Sequence, residues 1–465
     1  MGLFNSIINF LSRTDQRMNY GSLTFVGSTA VYPDQKAEVF VNQYSNSAAL
    51  FSIVNAASKK FGVIPRYVYK IEDDKADKSY KSFRPVVNFE GVVHKGSIPA
   101  KKIQKKAYSE PVKDGSAGKL TTLLARPNPY SGQDLFFQLL YVYYKLTGEA
   151  FVWLNRDIPD NLPSDTDTTK YPVLEMYVLP SQFIEIIKDP ENVFGIGGYM
   201  FNINGKRIPL NTTDVIHWRT ANPEFNASTG EHLRGLSPLR AGRKTLSMEG
   251  DSSDAAVAMY QNGGARGVLF EKSLRNVSAT QKSQIEDIVA KRISNKDMKS
   301  AVANLQGDWN YLDIGKDSVD LQLLEGNQQA WKSLCAVLGW QYELYQSDTT
   351  FANKEQAWKF ATANIIIPDC CSLRDELNRV LVPAFGLTGY TIDIDYSALP
   401  ELQENIKEMV DYLSKSPVTL NEFREAIGYD PIERPGMNEI WMQGSLQSLD
   451  EALVTDISTP NDNID

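Results

Sequence analysis

Arg234-Gly-Leu-Ser-Pro-Leu-Arg240 begins the segment that determines the architecture, and Asn262-Gly-Gly-Ala-Arg-Gly-Val-Leu-Phe270 ends it. Ser237 is suited to cap a helix, because its hydroxyl accepts a hydrogen bond from an otherwise unpaired backbone N–H. Pro238 fits the first helical position, where a missing N–H removes no hydrogen bond. These two residues therefore predict the start of a helix.

The far end of the segment predicts where that helix stops. Gly263 and Gly264 favour a helix end, because glycine tolerates the left-handed conformation that closes a helix. The run between the two signals holds about 25 residues, which is about 37 Å at about 1.5 Å per residue. Residues 267–270 then have the composition of a β-strand, so a long helix passes directly into a small strand-bearing insert.

Composition places the chain among large globular proteins. Its 465 residues are enough for two or three domains, and hydrophobic residues make up 42% of them. Three cysteines are too few for a disulfide framework and indicate a reduced, intracellular setting. No apolar run reaches about 18 residues, so a membrane span is not expected.

Charge is unevenly distributed along a chain whose net charge is −9. Residues 398–465 hold fourteen acidic and four basic residues, whereas residues 234–299 hold twelve basic and seven acidic ones. The basic segment predicts contact with an anionic or acidic partner, or it is an ordinary solvated face. The acidic average argues against a protein that holds DNA tightly, since the neutralisation of phosphates is what makes such binding strong.

Hydrophobic periodicity predicts an α+β protein. Before residue 234, helices are predicted at 38–62 and at 132–146, the second capped by Ser131, and a loop is predicted at 70–118. The predicted strands of this part are 67–69, 148–154, 177–180, 183–187, 199–203 and 215–218. Asn204-Gly205 is a strong hairpin signal, because this pair favours the turn that matches the twist of two strands.

After the first long helix, the pattern predicts an insert, further helices and an acidic end. The insert is predicted to hold a helix at 280–293 and strands at 267–270, 301–305, 310–314 and 319–323. The later helices are predicted at 327–345, 355–381, 399–414 and 420–426, with a strand at 390–394. Pro368 predicts a kink in the helix 355–381, and the composition beyond residue 444 predicts disorder.

Seven short motifs follow one another along the chain. They are Arg126-Pro-Asn-Pro129, Gly148-Glu-Ala-Phe151, Asp214-Val-Ile-His-Trp-Arg219, Gly235-Leu-Ser-Pro-Leu239, Asn262-Gly-Gly-Ala-Arg-Gly-Val-Leu269, Leu338-Gly-Trp340 and Thr419-Leu-Asn-Glu-Phe-Arg424. Taken in this order, they resemble the portal proteins of tailed double-stranded DNA bacteriophages. The resemblance covers roughly residues 35–443, and the motifs at 235–239 and 262–269 are the most specific.

The resemblance implies a portal fold with named regions. The wing would comprise a helical and β-rich part and a later part with a long kinked helix, and two stem helices would bracket the clip. The implied boundaries are an N-terminal arm 1–34, wing 35–235 and 355–397, stem helices 236–263 and 322–345, clip 264–321, tunnel loop 346–354, crown 398–443 and a disordered acidic tail 444–465.

The resemblance also implies a function. The chain would form a dodecameric ring at one vertex of the capsid, would initiate procapsid assembly and would conduct double-stranded DNA. It would be a structural part of the virion, assembled in the host bacterial cytoplasm, with no enzymatic activity, cofactor or membrane contact. The implied partners are other copies of the chain, double-stranded DNA, the large terminase subunit, the major capsid and scaffolding proteins and the head–tail adaptor of the neck.

Three sets of residues are candidates for these roles. The tunnel loop, which would face DNA, contributes Gln346, Ser347, Asp348, Thr349, Thr350, Phe351, Asn353 and Lys354. Because this loop has one anion and one cation, a weak hold on phosphates is expected, which suits sliding DNA. The clip contributes basic residues that would contact a partner or DNA, or are ordinary surface: Arg266, Lys272, Arg275, Lys282, Lys291 and Arg292. The stem-helix caps are Ser237, Pro238, Gly263 and Gly264.

Two other classes of function stay open. Asp393 and Asp395 share one face of a predicted strand and are conceivable ligands of a hydrolase metal, although a solvated strand face is favoured. Residues 1–6 match the loose myristoylation pattern, and residues 3–11 are predicted to form a short amphipathic helix, which suits a membrane-surface scaffold or docking on a neighbour. The sequence has no P-loop motif, so ATP hydrolysis is not expected. His217, between apolar strand residues, is expected to be structural.

Overall fold

The structure is a computed structural model of the 465-residue chain. It describes residues 30–31, 37–82, 86–88, 91–93, 107–108, 111–157, 171–261, 267–271, 309–313, 323–395, 418–427 and 431–441. The described residues form α-helices and antiparallel sheets, which confirms the predicted α+β class.

The helices and strands of the described residues are numbered in chain order. The helices are α1 (Ala37–Asn46), α2 (Ala48–Val63), α3 (Asp74–Ser82), α4 (Gly115–Ala125), α5 (Gln133–Thr147), α6 (Pro238–Ala241), α7 (Arg243–Gln261), α8 (Leu323–Leu338), α9 (Phe351–Ala361), α10 (Ile367–Ala384) and α11 (Leu420–Ile427). The strands are β1 (Ala30–Val31), β2 (Arg66–Lys70), β3 (Val86–Asn88), β4 (Gly91–Val93), β5 (Glu149–Arg156), β6 (Val173–Leu179), β7 (Ile184–Lys188), β8 (Ile196–Ile203), β9 (Lys206–Leu210), β10 (Val215–Arg219), β11 (Gly267–Glu271), β12 (Trp309–Asp313), β13 (Tyr390–Ile394), β14 (Val418–Thr419) and β15 (Ile440–Trp441).

The chain divides into two compact units. The first takes the described residues within 1–62 and 126–357, and the second takes those within 63–125 and 358–465. Each unit is therefore built from two separate stretches of the chain. The wing, stem and crown boundaries implied by the resemblance stay predictions.

Two antiparallel sheets form the centre of the first unit. Their strand orders are β10-β5-β6 and β1-β7-β8-β9, and a cluster of buried side chains that includes Phe151, Trp153 and Phe201 joins them. The turn between β8 and β9 is the predicted hairpin. Asn204 and Gly205 both have positive φ angles, of 49° and 77°, as a two-residue turn of this kind requires.

The other face of the β10-β5-β6 sheet is covered by aromatic side chains of the helices. The Trp218 ring stacks on Tyr144 of α5 with 3.6 Å between ring centroids, and Phe61 of α2 stacks on Tyr141 with 4.3 Å. A Cβ at Gly62 would lie 2.6 Å from the Asp134 carbonyl oxygen, so only glycine lets α2 approach α5 this closely. This stack fixes both helices to the sheet.

Two predicted helices of the first unit differ from the structure, one by an interruption and one by its capping residue. The predicted helix 38–62 is interrupted at Ser47, whose hydroxyl accepts a hydrogen bond from Leu50 N at 3.2 Å and donates to Glu249 Oε2 at 2.8 Å. Ser131 does not cap α5. Gly132 occupies that position, and the Ser131 hydroxyl donates instead to Asn128 Oδ1 at 2.9 Å.

The first predicted long helix is divided into two helices, α6 and α7. Ser237 caps α6 and Pro238 is its first residue, as predicted, with Leu239 N donating to Ser237 Oγ at 3.2 Å. Gly242 separates α6 from α7, because its ψ of 5° departs from the helical value. The predicted end caps Gly263 and Gly264 lie outside the described residues.

The helix predicted at 327–345 begins and ends earlier in the structure. It is α8, which starts at Leu323 and stops at Leu338. Gly339 has a φ of 73°, and Trp340 N donates to Cys335 O at 2.7 Å, a pattern that closes helices. Leu323, predicted as the end of a strand, is therefore the first residue of this helix.

The insert between these helices contains the two described strands β11 and β12. They pair antiparallel, with Gly267 opposite Asp313 and Glu271 opposite Trp309, which confirms the strands predicted at 267–270 and 310–314. The predicted helix 280–293 and the predicted strand 301–305 lie outside the described residues.

The second unit contains the β2–β13 pair, as predicted at 67–69 and 390–394, with Val68 opposite Ile392. The predicted loop 70–118 instead contains α3, the strands β3 and β4 and the first turn of α4. Asp73 Oδ1 caps α3 by accepting from Lys75 N at 2.8 Å. The predicted helix 420–426 is α11. The predicted helix 399–414 and the predicted tail beyond residue 444 lie outside the described residues.

The predicted helix 355–381 begins earlier, at Phe351, and ends at Ala384. The five residues Thr362–Ile366 form a π-helical turn directly before α10. Pro368 lies in the first turn of α10. Because Pro368 has no N–H to donate, the hydrogen-bond ladder changes at this position. The disturbance that Pro368 predicted is therefore a change of helix type.

Candidate functional site

A buried polar cluster holds the start of the first long helix. We define the anchor cluster as Glu149, His217, Arg234 and Ser237. Glu149 opens β5, His217 lies on β10, and Arg234 and Ser237 come directly before α6. All four residues are buried. The cluster therefore joins the sheet, the preceding helix and the following helix at one point.

Glu149 is the centre of this cluster. The guanidinium of Arg234 donates to Glu149 Oε1 through Nε, at 2.9 Å, and through Nη2, and it also donates from Nη1 to Ile184 O at 2.9 Å. Glu149 Oε2 lies 3.2 Å from His217 Nε2 and accepts from Gly235 N at 3.2 Å. Both carboxylate oxygens are thus paired, which offsets the cost of burying the charge.

The charges of the cluster follow from its burial and pairing. Burial raises the pKa of Glu149, but the Arg234 charge and the His217 hydrogen bond outweigh it, so this pKa lies below its usual value. Burial lowers the pKa of His217, and the bond to Glu149 only partly opposes this. At neutral pH, Glu149 is therefore ionised and His217 neutral. Because a carboxylate only accepts, His217 Nε2 carries the proton.

The same place brings two chain segments into close backbone contact. Ser237 Oγ donates to Leu146 O at 2.6 Å, and Thr220 N donates to Gly148 O at 2.8 Å. Gly148 has a φ of 78°, and a Cβ there would lie 2.4 Å from the Leu236 carbonyl carbon. Glycine is required at this position for both reasons.

The two long helices of the first unit pack side by side and antiparallel. A Cβ at Gly242, at the start of α7, would lie 3.1 Å from Val337, near the end of α8. Further along, Asn327 Nδ2 donates to Ser253 Oγ at 2.9 Å. The helix pair therefore begins at the anchor cluster and returns to the same end at Leu338.

The turn after α8 folds back onto that helix. Trp340 is buried, and the Tyr345 ring meets Trp331 edge to face with 5.6 Å between centroids. Lys332 Nζ lies 5.3 Å from the centroid of the Tyr342 ring. Burial and the nearby Glu343 charge raise the pKa of the Cys335 thiol to about 12, so this thiol is protonated at neutral pH.

The residues that follow are polar and bond mainly to one another. We define the polar segment as residues 346–350. Ser347 Oγ donates to Asp348 Oδ1 at 2.5 Å, and Thr349 Oγ1 donates to Gln346 Oε1 at 3.3 Å. These bonds span one to three residues, so they join the segment to itself rather than to distant parts of the chain.

The predicted tunnel loop is too long at its far end. Thr350 caps α9, with Asn353 N donating to Thr350 Oγ1 at 3.4 Å, so Phe351, Asn353 and Lys354 belong to the first turn of that helix. Phe351 is nevertheless 84% exposed. The non-helical part is therefore the polar segment alone. Its contact with DNA stays a prediction.

The other predicted site residues have separate outcomes. All six basic clip candidates, Arg266 to Arg292, lie outside the described residues. Asp393 is not on a solvated strand face: it is buried and pairs with Arg374 Nη1 at 3.3 Å. In the described part of the chain, His, Cys, Asp and Glu side chains form no group suited to a metal ion.

Sequence reasoning missed the anchor cluster. Glu149 and His217 lie inside motifs that resemble the portal family, and Arg234 lies directly before another of these motifs. This position in the motifs was the one sign in the sequence that the three residues matter. Their pairing joins residues 68 and 85 positions apart, and one sequence contains no information on such pairing.

Among the described helices, none combines the length and apolar character needed to cross a bilayer.

The fold of this chain also occurs in other solved structures. Three solved structures show the same fold at low sequence identity. They are the neck of a native GTA particle computed with C12 symmetry (TM-score 0.57, 15% identity, 91% of this chain and 100% of that chain), the neck of an empty GTA particle computed with C6 symmetry (TM-score 0.58, 15%, 90% and 98%), and the virion of a native gene transfer agent particle (TM-score 0.56, 16%, 90% and 99%).

Comparison with curated proteins finds no match. The family-wide sequence profile described as phage portal protein matches residues 97–428, which is more than half of the chain. This range includes the anchor cluster, both long helices, the insert and the polar segment. The chain therefore belongs to the phage portal protein family.

Proposed function

We propose that the chain assembles into a closed ring, the portal, at one vertex of a phage capsid, and that this ring conducts double-stranded DNA during packaging and ejection. The family match over residues 97–428 carries this proposal. The similar structures support it, because two of them are necks of GTA particles that were computed with C12 and C6 symmetry. The portal family is structural rather than enzymatic, and the proposed role requires no catalysis.

Two features of the described residues suit a ring. The helix pair is fixed at one end by the anchor cluster, which gives a rigid element that neighbouring copies can pack against. The insert contains the paired strands β11 and β12, and a strand at the edge of a sheet can pair with a strand of a neighbouring copy. Contacts between unlike surfaces close on themselves when the rotation between subunits closes.

The polar segment is the proposed DNA-facing part of the channel. It contains one charged residue, Asp348, and Lys354 follows within α9. Few phosphates would be neutralised, so DNA would slide rather than stick. Deletion of Ser347–Thr349, which keeps the Thr350 cap, is expected to leave rings intact and to reduce DNA-filled heads at least tenfold.

A length-preserving control separates shape from side-chain chemistry in this experiment. The double variant Ser347→Ala with Thr349→Ala keeps the backbone length and is expected to package nearly normally. Filled heads at the wild-type level from the deletion variant would remove the polar segment from the proposal. Electron microscopy of heads and their protected DNA content are the measurements.

The remaining partners are proposed from the family. The insert at 264–321 would dock the large terminase subunit and later the head–tail adaptor, and the ring would contact the major capsid and scaffolding proteins during assembly in the host bacterial cytoplasm. Replacing 264–321 by a short glycine-serine linker is expected to abolish binding of both docking partners in pull-down assays. Undiminished binding of both would refute this assignment.

A further inference from the structure

Exposed aromatic side chains cluster at one end of the β1-β7-β8-β9 sheet. Phe194 is 71% exposed, Phe225 59% and Val193 50%. The rings of Phe194 and Phe225 are 5.7 Å apart, and the ring of His232 lies 4.6 Å from Phe225. We define the end patch as Val193, Phe194, Phe225 and His232. Clustered exposed aromatic side chains are typical of surfaces that bind another chain segment.

The backbone beneath the end patch is well ordered by its own hydrogen bonds. In the turn between β7 and β8, Phe194 N donates to Asn192 Oδ1 at 3.0 Å, and Asp189 N donates to Gly195 O at 3.1 Å. The turn is also joined to the loop that carries Phe225, because His232 Nε2 lies 2.9 Å from Val193 O. The patch is therefore a built surface rather than a loose loop.

A second hydrogen-bonded link holds the same loop against the sheet. Lys188 Nζ, at the end of β7, donates to Ala227 O at 3.1 Å and to Ser228 O at 2.7 Å. Phe225 is thereby held beside the turn that carries Phe194. Both rings face outward although the chain around them is fixed.

The strand register shows which part of the chain passes this patch. β1 is the edge strand and pairs antiparallel with β7, with Val31 opposite Ile186 and Ala30 opposite Ile187. Moving towards the N-terminus, the chain therefore runs towards Lys188 and the turn that carries the end patch. The residues that directly precede Ala30 in the sequence are therefore the ones that this direction leads towards the end patch.

That segment has the composition that the end patch requires. Residues 21–29 read Gly-Ser-Leu-Thr-Phe-Val-Gly-Ser-Thr, with three apolar side chains, Leu23, Phe25 and Val26, between small and polar ones. Phe25 is five residues from Ala30, a reach of about 16 Å in extended chain at about 3.3 Å per residue. This reach covers the turn that begins two residues after Ile187.

We propose that Leu23–Val26 of the same chain docks on the end patch and covers Phe194 and Phe225. The edge strand β1 would then continue the sheet and carry an apolar clasp over its end. The docking site and its occupant are independent of ring formation, so this inference goes beyond the proposed function.

A disulfide test on the full-length chain reads out the docking. The double variant Phe25→Cys with Phe194→Cys is expected to form an intrachain disulfide under mild oxidation, shown by peptide mass spectrometry and by monomer mobility on a non-reducing gel. The matched control is Phe25→Cys with Phe351→Cys, because Phe351 is more exposed, at 84%, but lies elsewhere in the same unit. The intrachain disulfide is expected to form at least tenfold faster at position 194 than at position 351.

Each other result overturns the proposal. Equal rates at positions 194 and 351 would show that the segment does not choose the patch. An interchain disulfide, seen as a dimer band, would mean that another copy covers the patch. The absence of a disulfide would leave the patch without this occupant.

A second measurement protects against a variant that fails to fold. The double variant Leu23→Ser with Phe25→Ser is expected to increase the fluorescence of a hydrophobic dye bound to the chain. That increase is expected to vanish when Phe194→Ser and Phe225→Ser are added. An increase of the same size in both backgrounds would contradict docking. Both experiments apply to rings and to single chains alike, so their failure is distinct from failure of the portal proposal.

Discussion

The start of the first long helix and the end of the second are held in opposite ways. At the start, Glu149 and Arg234 are buried, and both oxygens of the Glu149 carboxylate are paired across the sheet and the helix cap. After the second helix, the polar side chains of the polar segment bond to neighbours within three residues. Similar polar chemistry therefore joins distant segments where it is buried and fully paired, and joins only neighbouring residues in the exposed polar segment.

The strongest way to break this comparison is to remove one partner of the buried ion pair. Arg234→Met leaves the Glu149 charge buried without its cation, which is expected to reduce the free energy of unfolding by about 3–5 kcal/mol. The matched control is Arg240→Met, whose Glu224 partner is half exposed. A loss of about 0–1 kcal/mol is expected there.

Urea unfolding of both arginine variants is the measurement. Equal losses in the two variants would contradict the assignment of Glu149 as the buried centre of the anchor. Binding of a hydrophobic dye before unfolding identifies a variant that is already partly unfolded.

Glycine positions sharpen the comparison at the backbone level. Gly148→Ala and Gly205→Ala both place a side chain at a φ of about 77°, which costs about 1–2 kcal/mol. At Gly148 the new Cβ would also lie 2.4 Å from backbone of Leu236, whereas nothing lies within 4 Å at Gly205. The Gly148 variant is therefore expected to lose clearly more stability in thermal unfolding. Similar losses would show that the two backbone segments separate easily.

The pH dependence of stability tests the charge states of the anchor. The pKa of His217 and that of Glu149 are both lower in the folded chain than their usual values of 6.5 and 4.5. As the pH falls, the unfolded chain therefore binds protons at these two groups before the folded chain does. The contribution of the two groups to the free energy of unfolding is complete above pH 6.5 and declines as the pH falls below it. The decline is at most about 1.4 kcal/mol per pH unit for one site.

His217→Gln isolates the histidine part of that decline. Glutamine keeps a hydrogen-bond donor for Glu149 but does not titrate, so the variant is expected to show a shallower loss between pH 6.5 and 4.5. Urea unfolding at half-unit pH steps measures the slopes. Parallel curves for the variant and the wild type would place His217 outside the pH response.

The two helix caps give the smallest expected effects. Ser237 is buried and makes two hydrogen bonds, whereas Thr350 is exposed and makes one long cap bond of 3.4 Å. Ser237→Ala is expected to cost about 1–2 kcal/mol and Thr350→Ala about 0.5 kcal/mol. Thermal unfolding compares them. The reverse order would place the firmer attachment at the polar segment.

Local patterns in the sequence predicted much of the fold. Alternating apolar residues located β10 and β13, and Asn204-Gly205 located the hairpin, because these signals depend on neighbouring residues alone. Helix ends were harder. The end of α8 depends on the positive φ of Gly339 and the start of α9 on the Thr350 cap, and each is a single-residue feature within a continuing periodic pattern.

The site was less predictable than the fold. Ser237 and Pro238 were found because a cap is a local feature. The sequence did not reveal two buried ion pairs, Glu149 with Arg234 and Asp393 with Arg374. Burial and pairing of this kind depend on how distant segments pack. A solvated strand face was favoured for Asp393, but this residue is buried. Acidic residues are seldom buried unless they are paired, and the ion pair with Arg374 permits the burial here.

The assembly state of the purified chain is the decisive test of the portal proposal. Mass photometry with negative-stain imaging, at low and high salt, distinguishes rings from single subunits. The proposal predicts rings with a central channel and a mass near twelve times 52.1 kDa. A well-folded monomer or dimer under all salt conditions, in the presence of scaffolding protein as well as without it, would contradict it.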